Sequence, residues 1–186
     1  MDGPLTRERV QPLLRGRFGR DVYRWFDRCL STQLELRADD PEGAVAVAEE
    51  QTAGRGRLGR EWHAPHGSSI LCSLLLRPAT EPSRLPELTV LGAQAVADVV
   101  DATVKHPNDV LIDGRKVCGV LGEARDGVVV LGIGLNVNVA RESMPTQTRL
   151  PATSLSIETG REHDRGELLA RVLAELERAY DGWCRG

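Results

Sequence analysis

Seven residues in the first third of the chain, Gly54-Arg55-Gly56-Arg57-Leu58-Gly59-Arg60, interleave three glycines with three arginines directly after an apolar run. Glycine lets a backbone approach a ligand closely and takes positive φ without steric cost. Arginine presents a planar fork that grips phosphate or carboxylate through two parallel hydrogen bonds. Together they suit a triphosphate, or an acyl-phosphate in the course of formation. The segment also fits G-x-G-x-x-G, which in a dinucleotide site must open a helix. Here Pro65 and Gly67 follow and break any such helix, and no G-x-x-x-x-G-K-[ST] occurs. Context therefore removes the Rossmann and P-loop readings. A solvated basic loop is the bland alternative; the position between two apolar runs, with Trp62 just beyond, favours a loop that a ligand orders.

Three further segments carry candidate chemistry. In Lys105-His106-Pro107-Asn108-Asp109, proline fixes extended or turn geometry for His106. Asp109 suits Mg²⁺ held against phosphate oxygens, because magnesium sites use one or two carboxylates plus substrate; an Asx-type turn accounts for Asn108 and Asp109 equally well. Lys116 enters an apolar run after Asp113-Gly114. It either snorkels from a sheet edge or stabilises charge developing at a phosphorus or carboxylate centre. Gly119 removes a side chain where ligand and backbone meet. In Gly132-Ile133-Gly134-Leu135-Asn136-Val137-Asn138, the glycines relieve crowding at a strand end, or Asn136 presents its amide to a nucleotide.

The elements that must position these groups follow from periodicity. Thr6 to about Arg15 reads as a short helix, Tyr23–Phe26 as a first strand, and Gly43–Glu49 and Ser69–Leu76 as buried strands. Leu85, Leu88, Leu91, Ala95 and Val99 recur at helical spacing between Arg84 and Val100. Val110–Ile112, Lys116–Leu121 and Val128–Ile133 are apolar runs separated by Asp113-Gly114 and Asp126-Gly127, the strongest short hairpin signals. A last helix starts at Asp164, with Glu167 in the capping-box position and Leu168, Leu169, Val172, Leu173, Leu176 and Tyr180 on its apolar face. This order is α+β with much antiparallel sheet, not a β-α-β alternation.

Composition bounds the rest. A chain of 186 residues, 41% apolar and 27% charged, fits one domain with a core of its own. A formal charge of −3 gives no global attraction to nucleic acid or anionic lipid, so any anion site is local. No apolar stretch reaches the roughly 20 residues of a membrane span, and no secretory leader is visible. The cysteines at 29, 72, 118 and 184 form no C-x-x-C pair, which argues against a disulfide framework or structural zinc and agrees with a cytoplasmic setting.

Read together, Ser31-Thr32-Gln33, the run Glu50-Gln51-Thr52-Ala53-Gly54-Arg55-Gly56-Arg57-Leu58-Gly59-Arg60-Glu61-Trp62, Lys105–Asp109, Lys116–Leu121 and Gly132–Asn136 resemble the biotin–protein ligase family, including the catalytic part of bifunctional biotin repressors. The resemblance covers roughly residues 25–183, and the Gln-x-x-Gly-Arg-Gly-Arg-x-Gly-Arg-x-Trp run is its most specific part. It implies a mixed β-sheet flanked by helices, related to class II aminoacyl-tRNA synthetases. It also implies ATP-dependent activation of biotin to biotinyl-5′-AMP with Mg²⁺, then transfer to a lysine of a biotin carboxyl carrier domain. By that resemblance Lys116, Arg55 and Arg57 are catalytic. Ser31, Thr32, Gln33, Gln51, Gly54, Arg55, Lys116 and Gly119 bind biotin. Arg55, Arg57, Arg60, Trp62, Asn108, Lys116 and Asn136 bind ATP, and Asp109 serves the metal.

The chain departs from the family pattern at His106, where tryptophan is usual, and at Gln33 and Ser69, where asparagine is usual, which bears on pocket polarity. One catalytic domain over residues 1–186 is expected, without an N-terminal winged helix or a C-terminal SH3-like domain, hence without DNA binding, and a homodimer is left open. A lipoate ligase-like acyltransferase and a pseudo-ligase that holds biotin or its adenylate without transfer are the alternatives. A Gly/Arg RNA-binding module is more remote, because no aromatics interleave with the basic loop.

Overall fold

The two Asp-Gly pairs turn as their sequence demands. In the computed structural model, which describes residues 2–146 and 148–186, Asp113 and Gly114 have φ of 48° and 75°, and Asp126 and Gly127 have 48° and 76°. Left-handed conformation at both central residues matches the twist of the flanking strands. These turns fold β5 (Asp109–Ile112), β6 (Arg115–Arg125) and β7 (Val128–Asn136) into a meander. With β1 (Tyr23–Cys29), β2 (Val45–Gln51), β3 (Ser69–Leu76) and β4 (Thr103–Lys105) they form a seven-stranded sheet of order β1-β2-β3-β7-β6-β5-β4. Only β1 and β2 pair in parallel; the other neighbours are antiparallel. The expected mixed sheet with flanking helices is therefore what the chain forms.

Among the described residues four α-helices accompany it: α1 (Arg7–Val10), α2 (Glu87–Val100), α3 (Leu155–Thr159) and α4 (Arg165–Arg185). The first is shorter than periodicity predicts, because Pro12 cannot donate into an α-helical ladder and the chain continues as a 3₁₀ turn over Gln11–Leu13. Pro86 likewise moves the start of α2 to Glu87. Asp164 caps α4 by accepting from the Glu167 N–H at 3.0 Å, as its position predicts. Short β4 and α3 were not legible, since three and five residues carry too little period.

The sheet has two unlike faces. On one, Val45 and Val47, Ile70, Leu74 and Leu76, and Leu131, Ile133 and Leu135 pack against Leu88 and Val96 of α2 and Leu169, Val172 and Leu173 of α4. Each such side chain contributes about 1.5–3 kcal/mol on removal from water. On the other, a smaller apolar cluster of Leu36, Ala44, Ala46, Leu75, Val128 and Val130 closes one end. The rest of that face carries Gly119, Gly132 and Gly134, and is covered only by loops. All four cysteines are free. Burial pushes the Cys72 thiol up to about 12 and Cys118 beyond it, so both stay protonated and act as small apolar side chains. Among the described residues no helix is long and apolar enough to cross a membrane.

A buried ion cluster joins the helices to the sheet. Arg165, at the first turn of α4, donates to Glu49 Oε2 (2.7 Å), Asp2 Oδ2 (2.6 Å), Ser69 O (3.1 Å) and Gly3 O (3.0 Å). Glu49 Oε1 accepts from the Leu5 N–H and from Trp25 Nε1. The Glu49 and Arg165 side chains are 1% and 3% exposed, so removing one partner strands the other. Glu49→Ala should lower the unfolding free energy by about 3–5 kcal/mol in urea titration, and E49M/R165M by less. A single-variant loss under about 1 kcal/mol would show that the pair is not structural.

Candidate active site

The loop-covered face is shaped by what its strands leave out. Gly119 of β6 stands opposite Gly134 of β7, and Leu121 opposite Gly132. The indole of Trp62 lies on this bare backbone. A Cβ at Gly134 would stand 2.5 Å from Trp62 Cε2, and one at Gly119 would stand 3.1 Å from Cζ3. Neither strand tolerates a larger residue there without displacing the ring. Trp62 Nε1 is buried over the Gly134 backbone without a hydrogen-bond partner among the described residues.

Lys116 sits beside the same ring. Its Nζ is 2.5 Å from Asp109 Oδ1 and 5.4 Å from the Trp62 ring centroid. Asp109 of β5 is registered opposite Gly119, which places its carboxylate on the glycine face. The Lys116 side chain is 24% exposed and lies between a carboxylate and a π-face, where cation–π attraction is worth about 1 kcal/mol. Lys116 thus stands on the functional face and does not snorkel from the sheet edge.

The Gly/Arg loop is a small hairpin with one irregular 3₁₀ turn over Arg57–Gly59, and it begins no α-helix. Trp62 N–H donates to Gly54 O (2.9 Å), Gly56 N–H donates to Arg60 O (2.6 Å), and Arg55 bridges Glu61. Gly54 is needed because a Cβ there would collide with the Trp62 carbonyl. At the tip Leu58 (φ 60°) and Gly59 (φ 72°) are left-handed, and Leu58 is 88% exposed. The arginines have only loose partners. Arg57 donates to Asn108 Oδ1 at 3.3 Å, Arg55 lies 3.6 Å from Glu123, and Arg60 Nε donates to Arg57 O at 3.0 Å. None of these is a bidentate carboxylate grip, so the forks remain available to an anion.

Next to these cations lies an uncharged recess. After β1 a 3₁₀ turn over Thr32–Leu34 brings in Ser31, Thr32 and Gln33, each at most 3% exposed. Gln51 Oε1 accepts from the Thr32 N–H (2.8 Å) and hydroxyl (3.1 Å), and the Thr32 hydroxyl meets Ser73 Oγ at 2.8 Å. Gln33 turns its amide onto the sheet, donating to Leu121 O at 3.1 Å and packing on Gly132. Arg125 clamps the turn by donating to Gln33 O and Leu36 O.

The cleft enclosed by these groups has a volume of about 340 Å³. It gathers Ser31, Thr32, Gln33, Gln51, Arg55, Arg57, Arg60, Trp62, Asn108, Asp109, Lys116, Gly119 and Asn136, which sequence reasoning named from scattered positions. Gly54 supports the loop from behind. His106 is exposed and Ser69 buried, and neither is among the residues that line the cleft. Asn136 is buried and donates to Thr153 O at 3.0 Å. Missed entirely was the rim formed by Pro145, Thr148, Arg149, Leu150 and Ala152. That segment has no period, and its one signal was an isolated cation, Arg149. Gly132 and Gly134 were noticed, but their cross-strand partners could not be assigned without register.

The chain matches the biotin/lipoate A/B protein ligase family over residues 24–139. It is 41% identical over 151 residues to the bifunctional ligase/repressor BirA of Bacillus spizizenii, covering 75% of this chain and 46% of that protein. It is 35% identical over 165 residues to the biotin–[acetyl-CoA-carboxylase] ligase of Paracoccus denitrificans, covering 80% and 68%. In structure it is similar to the biotin protein ligase from Aquifex aeolicus in complex with biotin and ATP, with a TM-score of 0.77, 34% identity, and 89% and 72% of the two chains covered. The chain spans about half the length of the ligase/repressors it matches. With a glycine-floored cleft, a desolvated lysine and a Gly/Arg hairpin in one place, and these relatives beside it, the chain belongs to the biotin/lipoate A/B protein ligase family.

Proposed function

We propose that this chain activates biotin with ATP and transfers the biotinyl group to a lysine of a carboxylase carrier domain. The observation that carries the reading is Lys116, partly desolvated against Trp62 and Asp109 at the junction of an uncharged recess and a cluster of arginines. An acyl-adenylate has the same two halves. The recess of Ser31, Thr32 and Gln51 offers hydroxyl and amide groups to the ureido ring, with Gln33 and Gly119 shaping its walls. The glycine floor admits the flat bicyclic part. Arg55, Arg57 and Arg60 face the phosphates, and Trp62, Asn108 and Asn136 border the nucleotide.

In the first step a biotin carboxylate oxygen attacks the α-phosphorus, the bond to the β-phosphate breaks, and pyrophosphate leaves. Lys116 exchanges its pairing with Asp109 for the carboxylate and α-phosphate oxygens, where negative charge crowds in the transition state. The arginine hairpin folds over the mixed anhydride and keeps water from hydrolysing it. In the second step the uncharged acceptor amine attacks the acyl carbon, AMP departs with the bond electrons, and the amine loses a proton. Much of the rate then comes from alignment of reactants. ATP would bring Mg²⁺ with it. Asp109, on the cleft face beside Lys116, would hold that ion, which would supply positive charge to the phosphate oxygens.

Biotin-dependent exchange of labelled pyrophosphate into ATP is the expected activity. Exchange with lipoate and none with biotin would assign the chain to the other branch of the family, and exchange without transfer to a carrier domain would make it a half-enzyme. Lys116→Ala should slow adenylation roughly 10²–10³-fold while biotin affinity moves less than about threefold. Equal losses in both quantities would overturn the role given to Lys116.

A further inference from the structure

Groups that the reaction above does not use converge behind Lys116. Pro151-Ala152-Thr153 runs parallel to the start of β6: Lys116 N–H donates to Pro151 O at 2.7 Å, and Thr153 N–H donates to Lys116 O at 2.9 Å. This is a single bridge, and two backbone bonds alone hold such a strap weakly. Glu158 of α3 closes the arrangement. One of its carboxylate oxygens accepts from the Thr153 hydroxyl, and the other accepts from the Arg115 guanidinium at 2.6 Å. Arg115 immediately precedes Lys116, and the Thr153 carbonyl holds the Asn136 amide. The Glu158 side chain is only 9% exposed and does not line the cleft.

The element presenting that carboxylate is itself fixed. Ser154 caps α3, its hydroxyl donates to Val139 O at 2.7 Å, and Ser156 N–H donates to Val137 O at 2.9 Å. A buried carboxylate so placed transmits the position of α3 to both Lys116 and Asn136. Desolvating it is costly unless its partners are present, which ties Arg115 and Thr153 to one arrangement.

We infer that Glu158 is a positioning residue for adenylate formation, acting through Arg115 and Thr153 to set where Lys116 and Asn136 stand in the cleft. This rests on the ligase reading above. A misplacement of about 1 Å can cost on the order of 100-fold in rate. Glu158→Ala should therefore lower kcat for biotin-dependent pyrophosphate exchange roughly 10- to 100-fold with the biotin KM changed less than about twofold. Glu158→Gln, which keeps one acceptor oxygen, should fall between alanine and wild type. Glu177→Ala is the control for stability. Glu177 receives the Arg17 and Phe18 N–H groups on the helical side of the sheet and takes no part in the cleft.

A second readout does not need activity. Lysine occurs only at positions 105 and 116, so protein grown on Cε-labelled lysine carries two reporter side chains, and K105R assigns them. In ligand-free Glu158→Ala the Lys116 resonance should shift, whereas in Glu177→Ala it should stay. An unmoved Lys116 resonance, a rate within twofold of wild type, or equal rate losses in the two alanine variants at equal melting-temperature loss would each overturn the assignment. Wild-type protein without biotin-dependent exchange would refute the ligase reading instead, and the resonance arm would still test Glu158.

Discussion

A sheet that must be filled along one face and left bare over part of the other is the constraint behind this structure. Branched and long apolar side chains of β2, β3 and β7 anchor α2 and α4, while over the cleft the reverse side of β6 and β7 carries Gly119, Gly132 and Gly134. Strand alternation makes both demands compatible, because successive residues point to opposite faces. In β7 this reads directly as Leu131, Ile133 and Leu135 toward the helices and Gly132 and Gly134 toward the cleft. Glycine weakens a strand interior. The weakness is offset by the strand's central place, paired to β3 and β6 along most of its length.

The cleft is provisioned with positive charge that the protein only lightly neutralises. Lys116 has Asp109, Arg57 has an amide oxygen, and Arg55 has a distant carboxylate. The Arg55–Glu123 pair is exposed and worth about 0–1 kcal/mol, and Arg57 gives up only a neutral amide oxygen, so an incoming polyanion displaces both at small cost. The contrast with Arg165 is instructive. That guanidinium is buried and closed off by Glu49, Asp2 and two backbone carbonyls, and nothing from solvent competes for it. One chain thus uses the same residue type for permanent attachment and for exchangeable binding, and burial separates the two uses.

Much of this was legible in the sequence, for identifiable reasons. Asp113-Gly114 and Asp126-Gly127 require positive φ, so the meander could be read from four residues. The Gly54–Arg60 alternation announced an anion loop, and Pro65 and Gly67 denied it a helix. What stayed hidden depended on pairing across strands. That Gly119 faces Gly134 is a statement of register, and no local pattern contains it. The rim at 145–152 has neither period nor motif, and the proximity of Lys116 to Pro151 and Thr153 arises only once the sheet is assembled.

The unpaired indole nitrogen of Trp62 has an optical consequence. Trp25 donates to Glu49 and Trp183 to Glu87, so two of the three indoles are anchored to carboxylates away from the cleft. Trp62 alone rests on bare backbone beside an ammonium group, with its donor uncommitted. Its excited-state dipole is therefore exposed to whatever charge enters or leaves the glycine-floored space. The fold carries its own fluorophore at the one place where occupancy changes the local field, against a background of two emitters held constant.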